Sequence, residues 1–269
     1  MDAGVTTDVE WEKWGARDPY FGVLTDPKYR AHALDDAARN EFFDLGRQHV
    51  DYVLAICRAH LDPDFAPERV LDFGCGVGRV LLPLAARVTS VVGVDVAPSM
   101  LAEAKRNCEL KGIRNAEFVM SDDTLSAVAG QFDLVHTCIV IQHIQIERGL
   151  KLFAELVRRI RPGGIGALHV TFAWTQYATN HGVPPPPPQQ SPWQQWIAST
   201  RSLLPRWQPT PAPVPPPAAS ADPEMQMNYY DLGQLMFIVQ QASCTTVHTE
   251  LTDHGGAIGA FMFFRRSAI

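Results

Sequence analysis

Long apolar runs are missing from this sequence. No stretch of 18 or more uninterrupted apolar residues occurs, although 46% of the 269 residues are hydrophobic, so we expect no membrane-spanning helix. The opening segment, MDAGVTTDVEWEKWG, lacks the basic and then apolar regions of a secretory signal. Five cysteines are scattered without a C-x-x-C pair, which favours free thiols over disulfides or a zinc site. These absences predict a cytoplasmic protein without membrane contact.

Concentrated positive charge is also scarce. The formal net charge is -6, and the adjacent basic pairs are limited to Lys105-Arg106, Arg158-Arg159 and Arg265-Arg266. Proteins that neutralise many phosphates usually present a basic surface. We therefore expect no nucleic-acid partner and a small-molecule ligand instead, while the oligomeric state stays open.

Strand and helix patterns alternate through the middle of the chain. Apolar runs predict strands at 69–73, 90–95, 116–122, 131–141 and 165–174. Periodicity and end signals predict helices at 35–60, 79–87, 97–112 and 148–164, the last stopped by Pro162-Gly163-Gly164. A helix at 229–243 should precede a hairpin of strands 245–251 and 259–266, joined by TDHGGAI. This alternation is typical of an α/β fold with a parallel, doubly wound sheet.

Two regions fall outside that pattern. Residues 1–33 are expected to be irregular, and fourteen of the 21 prolines lie between Pro184 and Pro223, a composition that favours extended or disordered chain. We accordingly divide the chain into an N-terminal cap segment and helix (1–65), an α/β core (66–174 and 229–269) and a Pro/Trp-rich insertion (175–228).

A glycine-rich loop follows the first core strand in VLDFGCGVGRV, residues 70–80. A dinucleotide fingerprint, G-x-G-x-x-G, would need its third glycine at the position that Arg79 occupies. The phosphate-loop pattern G-x-x-x-x-G-K-[ST] is absent. An NAD(P)-dependent oxidoreductase is therefore a weakened alternative, and the sequence does not indicate ATP or GTP bound by a phosphate loop.

Acidic residues at three successive strand ends indicate a different nucleotide. Asp72, beside the loop, suits an ammonium or sulfonium charge better than pyrophosphate. Asp95 can bind both hydroxyls of a ribose, and Asp122 or Asp123 can accept from the exocyclic amine of a base. Two hydroxyls, an amine and a cation together describe S-adenosylmethionine.

In order and spacing, VLDFGCGVGRVLLPLA, VVGVDVAPSML, EFVMSDD, FDLVHTCIVIQHI and RPGGIGALHV resemble the successive motifs of class I S-adenosylmethionine-dependent methyltransferases. The resemblance covers about residues 66–174 and the terminal hairpin. It implies a Rossmann-like, mostly parallel seven-stranded sheet of order 3-2-1-4-5-7-6 with strand 7 antiparallel. It also implies a cofactor site in which the loop and Asp72 hold the methionine moiety, Asp95 the ribose, and Asp122, rather than Asp123, the adenine amine. The implied cofactor-binding set is Asp72, Phe73, Gly74, Cys75, Gly76, Gly78, Asp95, Val96, Met100, Asp122, Asp123, Thr137 and Cys138.

Methyl transfer from a sulfonium needs a general base only when the acceptor must lose a proton. His143, in VIQHIQ beyond strand 4, is the candidate base, and the alternative is a structural histidine that fixes its loop. His254 and His136 are interpreted as a turn residue and a packing residue.

Several signatures of related enzymes are missing, and their absence narrows the acceptor. Strand 4 carries His-Thr-Cys-Ile (136–139) in place of the Asn/Asp-Pro-Pro-Tyr motif of amino-methylating nucleic-acid enzymes, and neither a double-glutamate loop nor a metal-binding acid pair follows. The sequence thus predicts metal-independent, in-line methylation at an O or N atom of a small molecule. Trp193, Trp196 and Trp207 in the insertion are candidates for a lid over the acceptor, and Tyr20 and Tyr29 for a cover over the cofactor. The alternative is a non-catalytic S-adenosylmethionine- or nucleotide-binding module whose Pro-rich arm docks a partner.

Overall fold

A seven-stranded sheet forms the centre of the protein in a computed structural model that describes residues 7–184 and 222–268. The strand order is β3-β2-β1-β4-β5-β7-β6. Strands β1 to β5 run parallel, and β7 is antiparallel to both β5 and β6. This order confirms the predicted fold. The strands are β1 (Arg69–Phe73), β2 (Ser90–Asp95), β3 (Ala116–Met120), β4 (Phe132–Thr137), β5 (Ile160–Trp174), β6 (Cys244–His254) and β7 (Ala257–Arg266).

Helices cover both faces of the sheet. Alternate strand residues therefore reach two separate cores: Leu71 and Phe264 pack with α6 and α7, whereas Val70 and Phe263 pack with α3 and α4. Burial on both faces explains why the central strands are apolar throughout instead of alternating. The helices are α1 (Thr7–Arg17), α2 (Pro19–Val23), α3 (Asp36–His60), α4 (Leu81–Ala85), α5 (Pro98–Leu110), α6 (Ile146–Arg158) and α7 (Leu232–Gln241), with 3-10 turns at Pro27–Tyr29, Ile141–His143 and Thr175–Asn180.

The N-terminal segment is not irregular, and this prediction was wrong. It forms α1, α2 and a 3-10 turn, and its aromatic side chains make a third core cluster with the start of α3. Trp14 and Tyr29 are each only 2% exposed. The apolar partners of these rings are Phe42 and Met100, which are distant in sequence. Tertiary packing rather than local periodicity therefore specifies these helices.

Two predicted elements end elsewhere than expected. Strand β4 stops at Thr137 instead of residue 141, because Ile139 adopts a positive φ of 58° and a 3-10 turn follows. Helix α6 ends at Arg158, so that Pro162-Gly163-Gly164 lies inside β5 instead of closing the helix. A side chain at Gly164 would place its Cβ 2.9 Å from the Phe132 carbonyl oxygen. Glycine is therefore needed here because two strands approach closely, and not because it caps a helix.

Smaller differences concern the ends of other elements. Helices α4 and α7 are shorter than predicted, and β3 ends at Met120. The hairpin turn is only Gly255-Gly256, with φ of 68° and 96°, so β6 continues through His254. No helix in the described ranges combines the length and apolar composition that crossing a bilayer requires.

Candidate active site

A cavity of about 600 Å³ lies at the carboxyl ends of β1, β2 and β4, where parallel sheets place ligands. The glycine loop and the residues after β2 and β4 form its floor and sides. Part of α1, residues 22–25 and part of the chain before α7 complete the wall. Ten of the sequence-predicted site residues line it: Asp72, Phe73, Gly74, Cys75, Gly76, Asp95, Val96, Met100, Cys138 and His143.

The glycine loop turns because its three glycines adopt positive φ. The angles are 72° at Gly74, 51° at Gly76 and 89° at Gly78, which side chains rarely tolerate. A Cβ at Gly74 would lie 2.3 Å from Val140 Cγ2, and one at Gly76 would lie 2.6 Å from Val23 Cγ2. The bare backbone of the first two glycines therefore lines the cavity, whereas Gly78 packs over Leu82 and does not line it.

Asp95 is tied to this loop through its carboxylate. Its Oδ2 accepts from the Gly76 N–H at 2.8 Å and its Oδ1 from the Ala97 N–H at 3.0 Å. Burial raises the pKa of Asp95 to about 6, against the opposing effect of the backbone hydrogen bonds. Each carboxylate oxygen retains a further lone pair, so the group can accept two hydroxyls at neutral pH.

Asp72 is buried below the loop and only half satisfied. Its Oδ1 lies 2.8 Å from His136 Nδ1, while Oδ2 has no hydrogen-bond partner among the described residues. An unpaired buried carboxylate oxygen is costly, and a cationic ligand in the cavity would satisfy it. The side chain therefore fits an ammonium group of a ligand.

His136 is not a packing residue, contrary to the interpretation from sequence. It lines the cavity and links Asp72 to His49, whose Nε2 lies 2.9 Å from His136 Nε2. Burial, with a smaller contribution from His136, lowers the pKa of His49 to about 2. His49 is therefore neutral, and the three side chains form a buried polar chain between β1, β4 and α3.

Asp122 and Asp123 lie beside the cavity wall, where Ser121 takes the lining position. The Asp122 carboxylate accepts from the N–H groups of Thr124 and Ser126 at 2.8 and 3.0 Å, and from the Ser126 hydroxyl. These hydrogen bonds, led by the Ser126 hydroxyl, hold the pKa of Asp122 well below its usual range. Asp123 pairs with Arg148 at 2.5 Å. The role of either acid in adenine binding stays a prediction.

Thr137 is also set back from the cavity. Its side chain is fully buried and its Oγ1 has no hydrogen-bond partner in the described part of the chain. The neighbouring Cys138 does line the cavity, and burial raises the pKa of its thiol to about 11. Burial likewise raises the pKa of the Cys75 thiol. Neither cysteine is therefore a thiolate at neutral pH, and both are free as predicted.

His143 lines the cavity from the 3-10 turn after β4. Its Nδ1 lies 2.7 Å from the Gln226 carbonyl oxygen. Because a carbonyl only accepts, Nδ1 donates and the Nε2 of the neutral ring keeps its lone pair. Burial lowers the pKa of His143, so the ring is neutral at pH 7. The Trp11 ring meets it edge-on, with 5.0 Å between centroids. The geometry suits a proton acceptor and also fixes the loop.

Two segments from distant parts of the sequence form the outer wall of the cavity. One is α1 with residues 22–25, and the other is residues 222–230, which we call the strap. The Glu224 N–H donates to Glu10 at 2.9 Å, and Asp222 pairs with Arg17 and Arg30. Met225 and Met227 of the strap line the cavity.

The strap is also fixed to the 3-10 turn that follows β4. The Asn228 N–H donates to the Gln142 carbonyl oxygen at 2.7 Å, and the Tyr230 hydroxyl to that of Ile144 at 2.7 Å. No local pattern in the sequence indicated the strap, because the hydrogen bonds that hold it within the described part of the chain join residues distant in sequence. The tryptophans proposed as a lid, Trp193, Trp196 and Trp207, lie outside the described residues.

Other cavity residues also differ from expectation. Tyr20 and Tyr29 do not line the cavity, since both are buried in the N-terminal aromatic cluster; Trp11 lies there instead. His254 ends β6 and lines the cavity, although it was interpreted as a turn residue. Arg79 and Trp174 were also missed. Arg79 alone carried a usable signal, its place directly after the glycine loop.

The titratable side chains of residues 7–184 and 222–268 form no group of three or more suited to holding a metal ion.

Comparison with known proteins matches residues 70–164 to a family model described as a methyltransferase domain. Aklanonic acid methyltransferase DauC from Streptomyces sp. (strain C5) is 39% identical over 100 residues, which are 35% of this chain and 41% of that protein. The 23S rRNA (uracil(1939)-C(5))-methyltransferase RlmD of Marinomonas posidonica is 37% identical over 136 residues, which are 49% of this chain and 30% of that protein. The chain therefore spans less than half the length of these curated relatives.

Solved structures share the fold at low sequence identity. Magnesium protoporphyrin IX methyltransferase (ChlM) from Synechocystis PCC 6803 with bound SAM superimposes with a TM-score of 0.58 at 18% identity, covering 99% of this chain and 100% of that chain. The N-methyltransferase NodS from Bradyrhizobium japonicum WM9, in complex with S-adenosyl-L-homocysteine, gives 0.56 at 14% identity, covering 97% and 99%.

Proposed function

We propose that the chain is a class I S-adenosylmethionine-dependent methyltransferase that transfers a methyl group to an O or N atom of a small-molecule acceptor, as the methyltransferase-domain match over residues 70–164 and the shared fold support. The observation that supports this most directly is the pairing of two acids with a bare glycine loop on one cavity floor. Asp72 has an unsatisfied buried oxygen, and Asp95 has spare acceptor capacity on both oxygens. Together they suit a ligand with a cationic end and a ribose.

The residues present fit S-adenosylmethionine. Asp72 holds the ammonium group, the backbone at Gly74 and Gly76 contacts the methionine chain, and Asp95 binds the ribose hydroxyls. Val96 and Met100 line the cavity next to Asp95 and enclose the adenine. When bound, the cofactor supplies an activated methyl group on a sulfonium. The protein aligns the acceptor for in-line displacement and excludes water from the cavity.

His143 acts as the general base when the acceptor is a hydroxyl or a protonated amine. Its neutral ring offers Nε2 to the cavity side because Nδ1 is committed to the Gln226 carbonyl. The Gln226 contact also fixes the ring orientation, as a general base requires. No metal ion takes part in this scheme.

A small acceptor is favoured over RNA by charge and by access. The net charge of -6 opposes binding of a polyanion, and α1 and the strap lie across the cavity. The names of the RlmD relatives nevertheless identify ribosomal RNA as the substrate of those proteins, so RNA is the competing acceptor to test.

The test is transfer of label from S-adenosylmethionine labelled in its methyl group. Phenols, carboxylic acids and amines form one panel, and ribosomal RNA is assayed separately. We expect labelled product from the small-molecule panel. Label in RNA alone would contradict the proposal, and cofactor binding without any labelled product would favour the non-catalytic binding module. Calorimetry with S-adenosylhomocysteine and with NAD tests the oxidoreductase alternative, which predicts tight binding of NAD only.

A further inference from the structure

Arg79 is a cation in the cavity wall that has no anionic partner among residues 7–184 and 222–268. It follows the glycine loop and its side chain is half-buried. Within residues 7–184 and 222–268 the guanidinium makes no ion pair, and its Nε is buried without a hydrogen-bond partner. Guanidinium groups placed out of water are normally paired with carboxylate or phosphate, often through two parallel hydrogen bonds. The charge at this point of the cavity is therefore unbalanced in the absence of a ligand.

The other charged groups of the cavity do not compensate Arg79. Arg148, a second cation in the wall, is held by both carboxylate oxygens of Asp8 at 2.6 and 2.9 Å. Asp72 is engaged with His136, and Asp95 with backbone N–H groups. Each of these groups has a partner within the protein, whereas Arg79 has none in the described ranges.

Two titratable groups that interact with Arg79, His49 and Cys138, are uncharged. Burial chiefly lowers the pKa of His49 to about 2, with His136 and then Arg79 adding to the effect. Burial raises the pKa of the Cys138 thiol to about 11, although Arg79 acts in the opposite direction. A neutral imidazole and a neutral thiol do not balance the guanidinium charge, so Arg79 can accept an anionic group of a ligand.

Part of the remaining cavity wall is apolar, beside polar side chains such as Gln142 and His254. Trp174 of β5, Leu152 of α6 and Ile144 form this apolar part together with Met225 and Met227 of the strap. Methionine side chains adapt to rings and irregular apolar shapes. This surface suits an apolar or aromatic body attached to a single anionic group.

We propose that Arg79 binds a carboxylate of the methyl acceptor, so that the substrates are aromatic or otherwise apolar carboxylic acids. This inference rests on the proposed methyltransferase function and specifies its substrate class. The competing source of a carboxylate is the methionine end of the cofactor itself, and the test separates the two.

The test compares an acid with its amide in the presence of S-adenosylhomocysteine. Calorimetry measures binding of 1-hydroxy-2-naphthoate and of 1-hydroxy-2-naphthamide to the full chain saturated with S-adenosylhomocysteine. The wild-type protein is expected to bind the acid at least about tenfold more tightly than the amide, in keeping with a charge-assisted bidentate pair. Arg79→Gln removes this preference, and Arg79→Lys, which keeps the charge but not the paired geometry, retains part of it.

A second arm measures S-adenosylhomocysteine binding alone, with Arg47→Gln as the matched control. Arg47 is an exposed arginine of α3 outside the cavity wall, and its loss should change neither ligand. If Arg79→Gln weakens S-adenosylhomocysteine binding tenfold and leaves the acid preference intact, Arg79 holds the cofactor and the inference is overturned. Equal binding of acid and amide by the wild-type protein, or binding of neither, also overturns it. Failure of the wild-type protein to bind S-adenosylhomocysteine would instead refute the proposed function.

Discussion

Replacement of Asp95 by asparagine probes the link between the glycine loop and the ribose. In Asp95→Asn, one carboxylate oxygen becomes an NH₂ group that cannot accept a hydrogen bond. One of the two ribose hydroxyls then loses its acceptor, and the other bonds to a neutral instead of a charged group. Hydrogen bonds to charged groups contribute about 1.5–3 kcal/mol and neutral ones about 0.5–1.5 kcal/mol. The expected loss is about 3 kcal/mol, on the order of 100-fold in the Kd of S-adenosylhomocysteine.

Calorimetry at pH 7.5 measures this loss, and thermal unfolding verifies that the variant is folded. The replacement also weakens the loop itself. In the wild-type protein one oxygen of Asp95 accepts from the Gly76 N–H and the other from the Ala97 N–H, so the new NH₂ group faces one of these two donors. Asp231→Asn is the matched control. Asp231 also accepts from backbone N–H groups, at the start of α7, but it lies outside the cavity, so its replacement should leave the Kd unchanged.

The pKa of Asp95 adds a second signature. Its value of about 6 in the ligand-free protein means that the carboxylate becomes protonated as the pH falls through 6. Affinity of the wild-type protein for S-adenosylhomocysteine should then decrease, while that of Asp95→Asn stays level. The stability of the fold responds to pH in the opposite direction from ligand affinity. The raised pKa of Asp95 favours the folded state below pH 3.8, and this contribution disappears as the pH rises through 6. A folded Asp95→Asn that binds within threefold of wild type would refute the assignment of Asp95 to the ribose.

Three further variants test the base, the core and the loop. His143→Asn should lower kcat about 100-fold or more with S-adenosylhomocysteine binding within threefold of wild type; a parallel loss of both would make His143 structural. Because burial lowers its pKa, the wild-type rate should stay level as the pH falls to 6.5 and decline only below it. Asp133→Asn should cost about 2 kcal/mol in urea unfolding, since the buried carboxylate accepts two backbone N–H groups. Burial raises the pKa of Asp133, but these hydrogen bonds and Arg161 lower it overall. The stability that the carboxylate contributes is therefore present above pH 3.8 and is lost as the pH falls through the lowered pKa. A loss of stability in Asp133→Asn that does not change with pH would contradict this. Gly74→Ala should abolish S-adenosylhomocysteine binding because its Cβ would clash with Val140. Gly112→Ala is the control, since Gly112 has a similar φ of 68° but nothing within 4 Å of an added Cβ, and its binding should be unchanged. Equal loss of binding in the two variants would refute the steric argument.

The core of the fold followed from local signals in the sequence. Strand β1, its glycine turn and the acid that ends β2 are encoded by residues close together in the chain, and turn chemistry of this kind is readable from sequence. The order of the seven strands did not follow from local signals: the motif resemblance implied it, and the sheet confirms it.

The parts that could not be predicted depend on contacts between distant residues. His136 pairs directly with Asp72 because β1 and β4 are adjacent in that register, and a single sequence does not reveal register. The helix α1 and the strap contact the cavity only after the sheet has assembled. The network at Asp122 is different, since the N–H groups that donate to its carboxylate belong to the nearby Thr124 and Ser126, and an Asx-type turn could have been expected there.

The fastening of the strap to the N-terminal segment has a consequence for turnover. Asp222 meets Arg17 and Arg30 at the protein surface, where its side chain is 42% exposed. Exposed ion pairs contribute about 0–1 kcal/mol each and weaken as ionic strength rises. Entry of the cofactor and departure of the methylated product should therefore become faster in concentrated salt, whereas the buried reaction centre is shielded from it. Where departure of the product limits the proposed reaction, its rate should then rise with ionic strength, to the small extent that exposed ion pairs contribute.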